Sequence, residues 1–465
     1  MIKRKTKWLS MLLAVALCIT MCFGGTGFAQ AASYSKTKEA FEKCGSYLYN
    51  PKSAPTFGSI GGEWIIYGLG HAGYAMSDTY LKAYRQSVEA ALEEGYRGVK
   101  GIFHDKKFTD YSRVIVAMSA VGMDATNVNG YDLTAPLADF VNVKWQGMNG
   151  PIWALIALDS GNYVMPKRTA NYAYGTLTPE ETDRQNSRDR MIDFILANQF
   201  DDGGWNLQPR DNGGSGYNAV SDVDMTGMAM IALAPYQKQA KVKKAIDRAI
   251  AFLSKQQKKD GGFQSWGTSN SESCAQAICG LLACGVNPNT DSRFIKNGNS
   301  VIDGLMRFYD EKVGGFRHVN TASGGYEPVV NQMATEQAYY ALAFFYKSVP
   351  AQTVLSKAAK SGSGKLKVTW KKAAIGTDYV TKQSGKTAEV SGYQIVCAAD
   401  KKFTKKVKKV TVSASALTKI SDGSLTKTVT GLKKGKTYYV KVRAYKTVNG
   451  KKIYGMYSSV KSCKV

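Results

Sequence analysis

Six stretches of this chain share one pattern, an apolar helix rich in small residues that ends at a similar stop. Small residues at helical spacing let neighbouring helices approach closely, and a glycine after the last apolar residue is a common helix end. The stops are about 40 to 75 residues apart, which leaves room for one helical hairpin per step. Six hairpins around one axis predict an all-α toroid with a ring of inner helices. The copies span 64–73, 114–122, 152–161, 226–235, 275–285 and 337–346.

The first 31 residues have the composition of a secretory signal peptide. Basic residues precede the apolar run 9–18, and Ala29-Gln30-Ala31 fits a cleavage site. The run is too short to span a membrane, and no later segment reaches about 18 uninterrupted apolar residues. We therefore predict a secreted protein, free or attached to the cell wall, with no transmembrane anchor.

The net charge of +26 is placed unevenly along the chain. Residues 351–465 hold 26 Lys and Arg but only 4 Asp and Glu, whereas the two signs balance in 32–350. A basic domain on a secreted protein predicts an anionic partner, here an anionic cell-wall polymer, and no nucleic acid is expected as a partner. The alternative is that these lysines are solvated and protect strand edges. The densest cluster consists of Lys401, Lys402, Lys405, Lys406, Lys408 and Lys409.

Beyond residue 350 the helical pattern gives way to short segments of alternating polarity, which predict an antiparallel β sandwich of about 100 residues. With Trp370 at the end of an early strand and the segment 431–438 before a late one, residues 356–465 resemble a bacterial fibronectin type III domain. The resemblance implies that Tyr438 or Tyr439 forms the tyrosine corner. It also implies a strand between Cys397 and Cys463, so we predict two free thiols there.

The helical region carries several motifs of one repeat family. They lead us to say that residues 36–348 resemble the prenyltransferase and squalene-cyclase repeat proteins, in particular single toroids secreted by Gram-positive bacteria. The resemblance implies an α/α toroid. The motifs are Asn149–Asp159, Gln199–Trp205, Ser221–Tyr236, Gln257–Phe263, Asn270–Gln276 and Ala334–Ala338.

Cyclases of this kind use an Asp-x-Asp-Asp motif whose middle aspartate protonates an alkene. Asp222 and Asp224 match its first two positions, but Met225 stands at the third. A thioether cannot replace the missing carboxylate, so the chain departs from the catalytic pattern. The chain also has no Asp-x-Cys at the corresponding repeat for a zinc transferase and no Cys-Gly-Glu-Gln for a thioester. We therefore predict no metal, no cofactor and no catalytic residues.

The predicted inner helices begin with polar residues, mostly carboxylates. For any single residue, capping of the helix start explains this choice. In a toroid, however, all six starts meet at one end of the axis, and a polar mouth above an aromatic interior is typical of a ligand site. The candidate ligand-binding residues are Glu63, Trp64, Tyr111, Arg113, Asn149, Trp153, Asp222, Asp224, Glu272, Glu336 and Tyr340.

Three functions remain open on the sequence alone. The leading hypothesis is a secreted, surface-associated protein that binds an unidentified small molecule or surface glycan in the toroid without catalysis. The second is an enzyme at the same mouth, either isoprenoid cyclase-like or a glycan hydrolase or lyase. A hydrolase needs two carboxylates about 5–10 Å apart, for which Asp224 and Glu272 are the candidates. The third is a structural adhesin without a pocket function.

Overall fold

The computed structural model describes residues 25–168, 184–210, 220–375 and 389–465, with side chains from residue 37 onward. Most of the predicted signal peptide, residues 1–24, lies outside the described residues, and 25–31 run into the first helix. Within the described ranges, no helix is both long and apolar enough to cross a membrane.

Nearly all of the regular secondary structure described up to residue 348 is helical, as the repeat pattern predicts. Six inner helices alternate along the chain with outer elements. The inner helices are α2 (Glu63–Ala72), α4 (Thr109–Ala120), α6 (Asn149–Ser160), α8 (Val223–Leu233), α10 (Ser271–Ala283) and α12 (Gln332–Ser348). The outer helices are α1 (Gly25–Leu48), α3 (Asp78–Glu94), the one-turn α5 (Phe140–Val143), α7 (Arg188–Ala197), α9 (Ala240–Gln256) and α11 (Val301–Met306).

The inner helices form a closed ring. Each packs against the next inner helix in the sequence, and α12 returns to pack against α2. Glycines make the closest approaches possible: Gly227 of α8 and Gly280 of α10 face each other across backbone atoms. The predicted all-α toroid of six hairpins is confirmed.

The outer layer is less regular than the inner ring. Between α4 and α6 the outer position holds two short 3₁₀ segments around α5, Ala135–Ala138 and Lys144–Gln146. The pattern over 300–309 predicts an outer helix of that length, but α11 ends at Met306. Tyr309 instead pairs with Phe316 in a two-residue ladder of β3 (Tyr309–Asp310) and β4 (Gly315–Phe316). Another short ladder, of β1 (Gln264–Ser265) and β2 (Thr268–Ser269), precedes α10.

Three glycine-glycine-aromatic loops connect outer to inner helices in the second half of the ring. Trp205, Phe263 and Phe316 follow the glycine pairs and are fully buried. The loops share hydrogen bonds as well: the Trp205 and Phe316 amides donate to Thr226 and Thr335 of the following inner helix, at 3.0 and 2.9 Å. Each aromatic ring is therefore buried in the space next to the inner helix that follows its loop.

Residues 355–465 form a β sandwich of two antiparallel sheets. One sheet has the order β5 (Leu355–Gly362), β6 (Lys365–Trp370), β10 (Leu425–Val429), β9 (Thr418–Lys419). In the other, β11 (Thr437–Val448) pairs with β7 (Gly392–Ala398), β12 (Lys451–Tyr454) and β13 (Lys461–Lys464), and β8 (Lys408–Ser413) pairs with β7.

The sandwich shows the features expected of a fibronectin type III domain. Trp370 ends β6, is fully buried and packs on Tyr393 at 5.3 Å between ring centroids. Of the two tyrosine-corner candidates it is Tyr438 whose hydroxyl accepts the Lys433 amide at 3.1 Å. Cys397 on β7 and Cys463 on β13 lie on opposite sides of β11, and both are free thiols.

Candidate functional site

The starts of the six inner helices meet at one end of the ring, which we call the acidic rim. Hydrogen bonds between neighbouring helix starts show this directly: Glu63 bonds Arg113 of α4 at 2.8 Å, and Glu336 accepts the amide of Gly61, just before α2, at 2.8 Å. The carboxylates of this rim are Glu63, Asp110, Asp222, Asp224, Glu272 and Glu336.

Glu63 is completely buried, and its carboxylate accepts several hydrogen bonds. Its carboxylate accepts the amides of Gly58 and Ser59, the latter at 2.6 Å, and the Nε of Arg113. Arg113 also bonds Asp110 at 2.8 Å. This ion-paired network fixes the loop before α2 to the start of α4, and most of the Arg113 side chain is covered.

Asp222 is the residue that caps α8. Its Oδ1 accepts the Met225 amide at 2.9 Å, and its Oδ2 bonds the Ser265 hydroxyl. Asn270 and Asn331 occupy the same position before α10 and α12. The capping role that the sequence also allowed for Asp224 therefore belongs to Asp222, one residue before the first turn.

Asp224 lies one residue into α8 and is not held by a cap. Its Oδ1 is buried and has no hydrogen-bond partner among the described residues. Burial raises the pKa of Asp224 to about 8, and the nearby Asp222 and Glu272 carboxylates raise it as well. Asp224 is thus a neutral acid at pH 7, although Met225 at the next position is buried and apolar.

Glu272 in the first turn of α10 forms a pair with a histidine. Its Oε2 accepts the Ser271 hydroxyl at 3.0 Å and lies 2.9 Å from Nδ1 of His318. Its Oε1 is buried and unpartnered within the described part of the chain. The sequence analysis missed His318; the signal was its position two residues after the aromatic Phe316 of a glycine-glycine loop.

Glu336 on α12 completes the group. It is fully buried, and its Oε1 accepts the Gly61 amide and Nε2 of Gln332 at 2.8 and 2.9 Å. Its Oε2 has no partner in the described ranges. Burial raises the pKa of Glu336 to about 7, with a further contribution from the charge of Glu63.

An aromatic cluster lies inside the ring beside these carboxylates. The ring of Trp64 is 5.1 Å from Trp153 and 6.2 Å from Tyr340. The Tyr340 hydroxyl bonds Gln276 of α10. Burial raises the pKa of Tyr340, and Asp224 is among the neighbouring groups whose charge raises it further. This cluster therefore faces the same space as Asp224.

One candidate residue lies elsewhere, and another is only partly buried. Tyr111 does not line the interior: its ring packs on Phe103 and Phe108, and its hydroxyl accepts the Phe103 amide at 3.0 Å. The expectation that it lines the aromatic interior was wrong, because the residue is turned toward the preceding loop. Asn149 lies at the start of α6, partly exposed. No cluster of His, Cys, Asp and Glu suited to a metal ion occurs among the described residues.

Comparison with known proteins finds one family model that matches part of the ring. Residues 172–315 match the family model of the squalene-hopene cyclase C-terminal domain, which confirms the resemblance over that segment. No curated protein matches the chain.

Solved structures are similar to each of the two domains. A variant of the type II terpene cyclase MstE from Scytonema, in complex with geranylgeranyl dihydroxybenzoate, is 12% identical and covers 67% of this chain and 98% of its own, with a TM-score of 0.40. An unsaturated glucuronyl hydrolase variant from Streptococcus agalactiae is 12% identical, covers 67% and 91%, and has a TM-score of 0.41. The FN5 domain of Drosophila Lar is 20% identical, covers 25% and 96%, and has a TM-score of 0.17.

Proposed function

We propose that this squalene-cyclase-like toroid binds a sugar unit of a surface glycan at the acidic rim, without catalysis, in a protein secreted to the cell surface. One observation carries the proposal. Adjacent inner helices present three buried carboxyl oxygens that lack partners among the described residues, on Asp224, Glu272 and Glu336. A buried polar atom without a partner costs about 1–3 kcal/mol, which a ligand that supplies hydrogen bonds would offset.

The chemistry of the rim favours hydroxyl groups over a cation. The pKa values of Asp224 and Glu336, about 8 and about 7, mean that much of the rim is uncharged at neutral pH. A neutral carboxyl group both donates and accepts, as a hydroxyl does. Trp64 and Trp153 add aromatic surface on which the apolar face of a sugar ring can pack.

Two of the rim carboxylates already have structural roles, which favours binding without turnover. Asp222 is committed to the helix cap and Glu63 to an ion-paired loop. Met225 at the third motif position is buried and supplies no acid. The chain thus retains buried polar groups at the rim while lacking the full acid motif.

One observation favours an enzyme as the second candidate. Asp224 holds its proton at neutral pH, as a general acid must, and Glu272 beside it is paired with His318. The same geometry would suit a hydrolase or cyclase that uses Asp224 as the acid.

Isothermal titration with purified wall polysaccharide and its component sugars tests the proposal. We expect saturable binding, weakened about fivefold to tenfold by Asp224→Asn, which corresponds to roughly 1 kcal/mol. Asp78→Asn, at the exposed start of α3, serves as the matched control and should bind as the parent does.

The same samples distinguish the two candidates. Release of new reducing ends, or cyclisation of squalene or a linear polyprenyl diphosphate, that is lost in Asp224→Asn would replace the binding function with the enzyme. Absence of binding to every sugar tested would contradict the proposal.

A further inference from the structure

A cavity lies at the opposite end of the ring from the acidic rim. It has a volume of about 260 Å³ and is formed where the inner helices end. All six inner helices line it, through His71, Val116, Ile156, Ile231, Leu282 and Phe344. The ring therefore has two separate mouths, one acidic and one apolar.

The lining of this cavity is mostly apolar, with a few polar groups and one ion-paired carboxylate. The His71 ring lies 4.4 Å from Tyr67 and 4.6 Å from Phe344, measured between ring centroids. Burial lowers the pKa of His71 to about 3, with help from the charge of Lys347, so the imidazole is neutral. The carboxylate of Asp159, which also borders the cavity, is bonded to Arg188 and to the Tyr236 hydroxyl.

The β sandwich covers this end of the ring. Val448 and Asn449, at the tip of the β11–β12 hairpin, form part of the cavity wall. Asn449 donates to the carbonyl of Ala283 at 2.9 Å, and Asn287 donates to the carbonyl of Tyr454 at 2.7 Å. Ile453 of β12 is buried in the toroid core. The hairpin thus forms one wall of a partly open space that an isolated toroid would leave more exposed.

We propose that this cavity is a binding site for a small apolar molecule, an alkyl chain or fused ring of about ten carbon atoms. Apolar cavities in proteins stay dry and accept apolar guests, and one of about 150 Å³ holds benzene. A cavity of about 260 Å³ admits a guest nearly twice that size. The neutral His71 can hydrogen-bond one hydroxyl of the guest without being charged. This site is independent of the acidic rim.

The probe 1-naphthol, with ten carbons and one hydroxyl, tests the site by its own fluorescence on titration into the full chain. We expect saturable one-to-one binding and a rise of the thermal midpoint of about 2 °C or more at saturating probe. Ala283→Phe, which adds a ring at the cavity wall, should weaken the affinity at least tenfold. Ala322→Phe makes the same change at an exposed loop position and should leave it unchanged.

A second cavity variant keeps the test valid if Ala283→Phe fails to fold. Val448→Trp fills the cavity from the hairpin side and should also weaken 1-naphthol binding at least tenfold, with the circular dichroism of the parent. Asp224→Asn should leave the affinity unchanged, which separates this site from the acidic rim. Absence of saturable binding in the parent, or unchanged affinity in both cavity variants, would overturn the proposal.

Discussion

At the scale of single residues, the unusual groups are the protonated acids of the rim. Asp224 and Glu336 are buried in a ring whose interior is apolar, and the cost of burying a charge favours their neutral forms. Each folded-state pKa lies above that of the exposed side chain. The folded protein therefore holds protons that the unfolded chain releases, and this links stability to pH.

We expect the free energy of unfolding to decrease as the pH rises from about 4.5, the ordinary value for glutamate, through about 7, the pKa of Glu336. The stabilisation from neutral Glu336 is fully present at low pH. It is lost as the pH rises through the folded-state pKa, because the carboxyl group must then ionise while it is buried. Glu336→Gln removes the ionisable group and should reduce the loss by on the order of 1–3 kcal/mol. Urea unfolding at pH 5 and pH 8 measures the difference. Glu327→Gln, at an exposed position, should keep the parent's dependence, and an unchanged slope in Glu336→Gln would contradict the assignment.

The sequence predicted some of these residues and not others, for physical reasons. Carboxylates at helix starts are visible in the sequence, so the rim residues could be selected. Which carboxylate caps and which points inward depends on the rotation of α8, and this distinguishes Asp222 from Asp224 only in three dimensions. His318 reaches Glu272 across 46 positions of sequence, and no local pattern predicts such a pair.

At the scale of secondary-structure elements, the glycine-glycine-aromatic loop is the structural motif that recurs. Gly203, Gly261 and Gly314, the first of each glycine pair, have positive φ angles, and the aromatic ring that follows each pair is fully buried. Gln199 and Gln257 occupy equivalent positions, and each donates to the carbonyl of the first glycine in its loop, at 2.8 and 3.1 Å. The repeat thus includes a side-chain hydrogen bond that turn chemistry alone does not require.

Truncation of one of these buried rings should be costly. Trp205→Ala removes a fully buried side chain whose Nε1 donates to the Ile195 carbonyl, and we expect a loss of about 3–5 kcal/mol. Trp145, which is 56% exposed, is the matched control; Trp145→Ala should cost less than about 1 kcal/mol. Thermal or urea unfolding of both variants gives the comparison, and similar losses for the two would refute the role given to Trp205.

Two glycines in different loops allow two causes of destabilisation to be separated: the backbone conformation itself and the contact that a new Cβ atom would make. Gly261 and Gly98 both have positive φ, 85° and 78°. A Cβ at Gly261 would lie 2.1 Å from the Ser300 carbonyl oxygen, whereas nothing lies within 4 Å of one at Gly98. Gly98→Ala should cost about 1 kcal/mol for the backbone alone, and Gly261→Ala at least about 2 kcal/mol more. Equal unfolding free energies for the two variants would show that the loop relaxes to relieve the contact.

Helix positions were more predictable than helix lengths. The helical pattern predicts outer helices over 79–95 and 241–257, and the structure has α3 and α9 within one residue of those bounds. The irregular segment between α4 and α6 gave no helical pattern, because Pro136 and two short 3₁₀ turns interrupt it. α11 stops early since Tyr309 is taken into the ladder with Phe316, a pairing that helical periodicity cannot show.

At the scale of the whole molecule, charge and packing divide between the two domains. Five of the six clustered lysines, all but Lys408, are exposed on the sandwich around the β7–β8 connection. Lys408 instead bonds the Thr430 carbonyl. We therefore propose the exposed lysines as the contact for an anionic wall polymer.

Retention of the protein on purified Gram-positive cell walls tests this contact. Binding should weaken steeply between 0.1 M and 1 M salt, where the Debye length falls from ~10 Å to ~3 Å. Replacing the cluster by glutamine should lower retention about tenfold at low salt, more than replacing six dispersed lysines of the same sandwich. Retention that does not change with salt would rule the contact out. The dispersed control set is Lys357, Lys360, Lys365, Lys367, Lys433 and Lys434.

The number of repeats made the ring predictable from the sequence. The contact between the ring and the sandwich could not be predicted. Asn287, Asn449 and Ile453 meet through a hairpin tip and a loop, where no periodicity indicates a partner. The apolar cavity depends on that contact, which is why the sequence analysis placed a ligand site only at the acidic end.

The return of α12 to α2 has a consequence for how the chain reaches its folded state. The Glu336–Gly61 hydrogen bond joins residues 275 positions apart, so the first and last hairpins must find each other after everything between them has been made. An open array of repeats can fold from any point and grow, but a ring cannot close early. Until α12 arrives, the inner faces of α2 and α10 stay uncovered. The emerging chain is therefore most prone to aggregation just before its last helix appears.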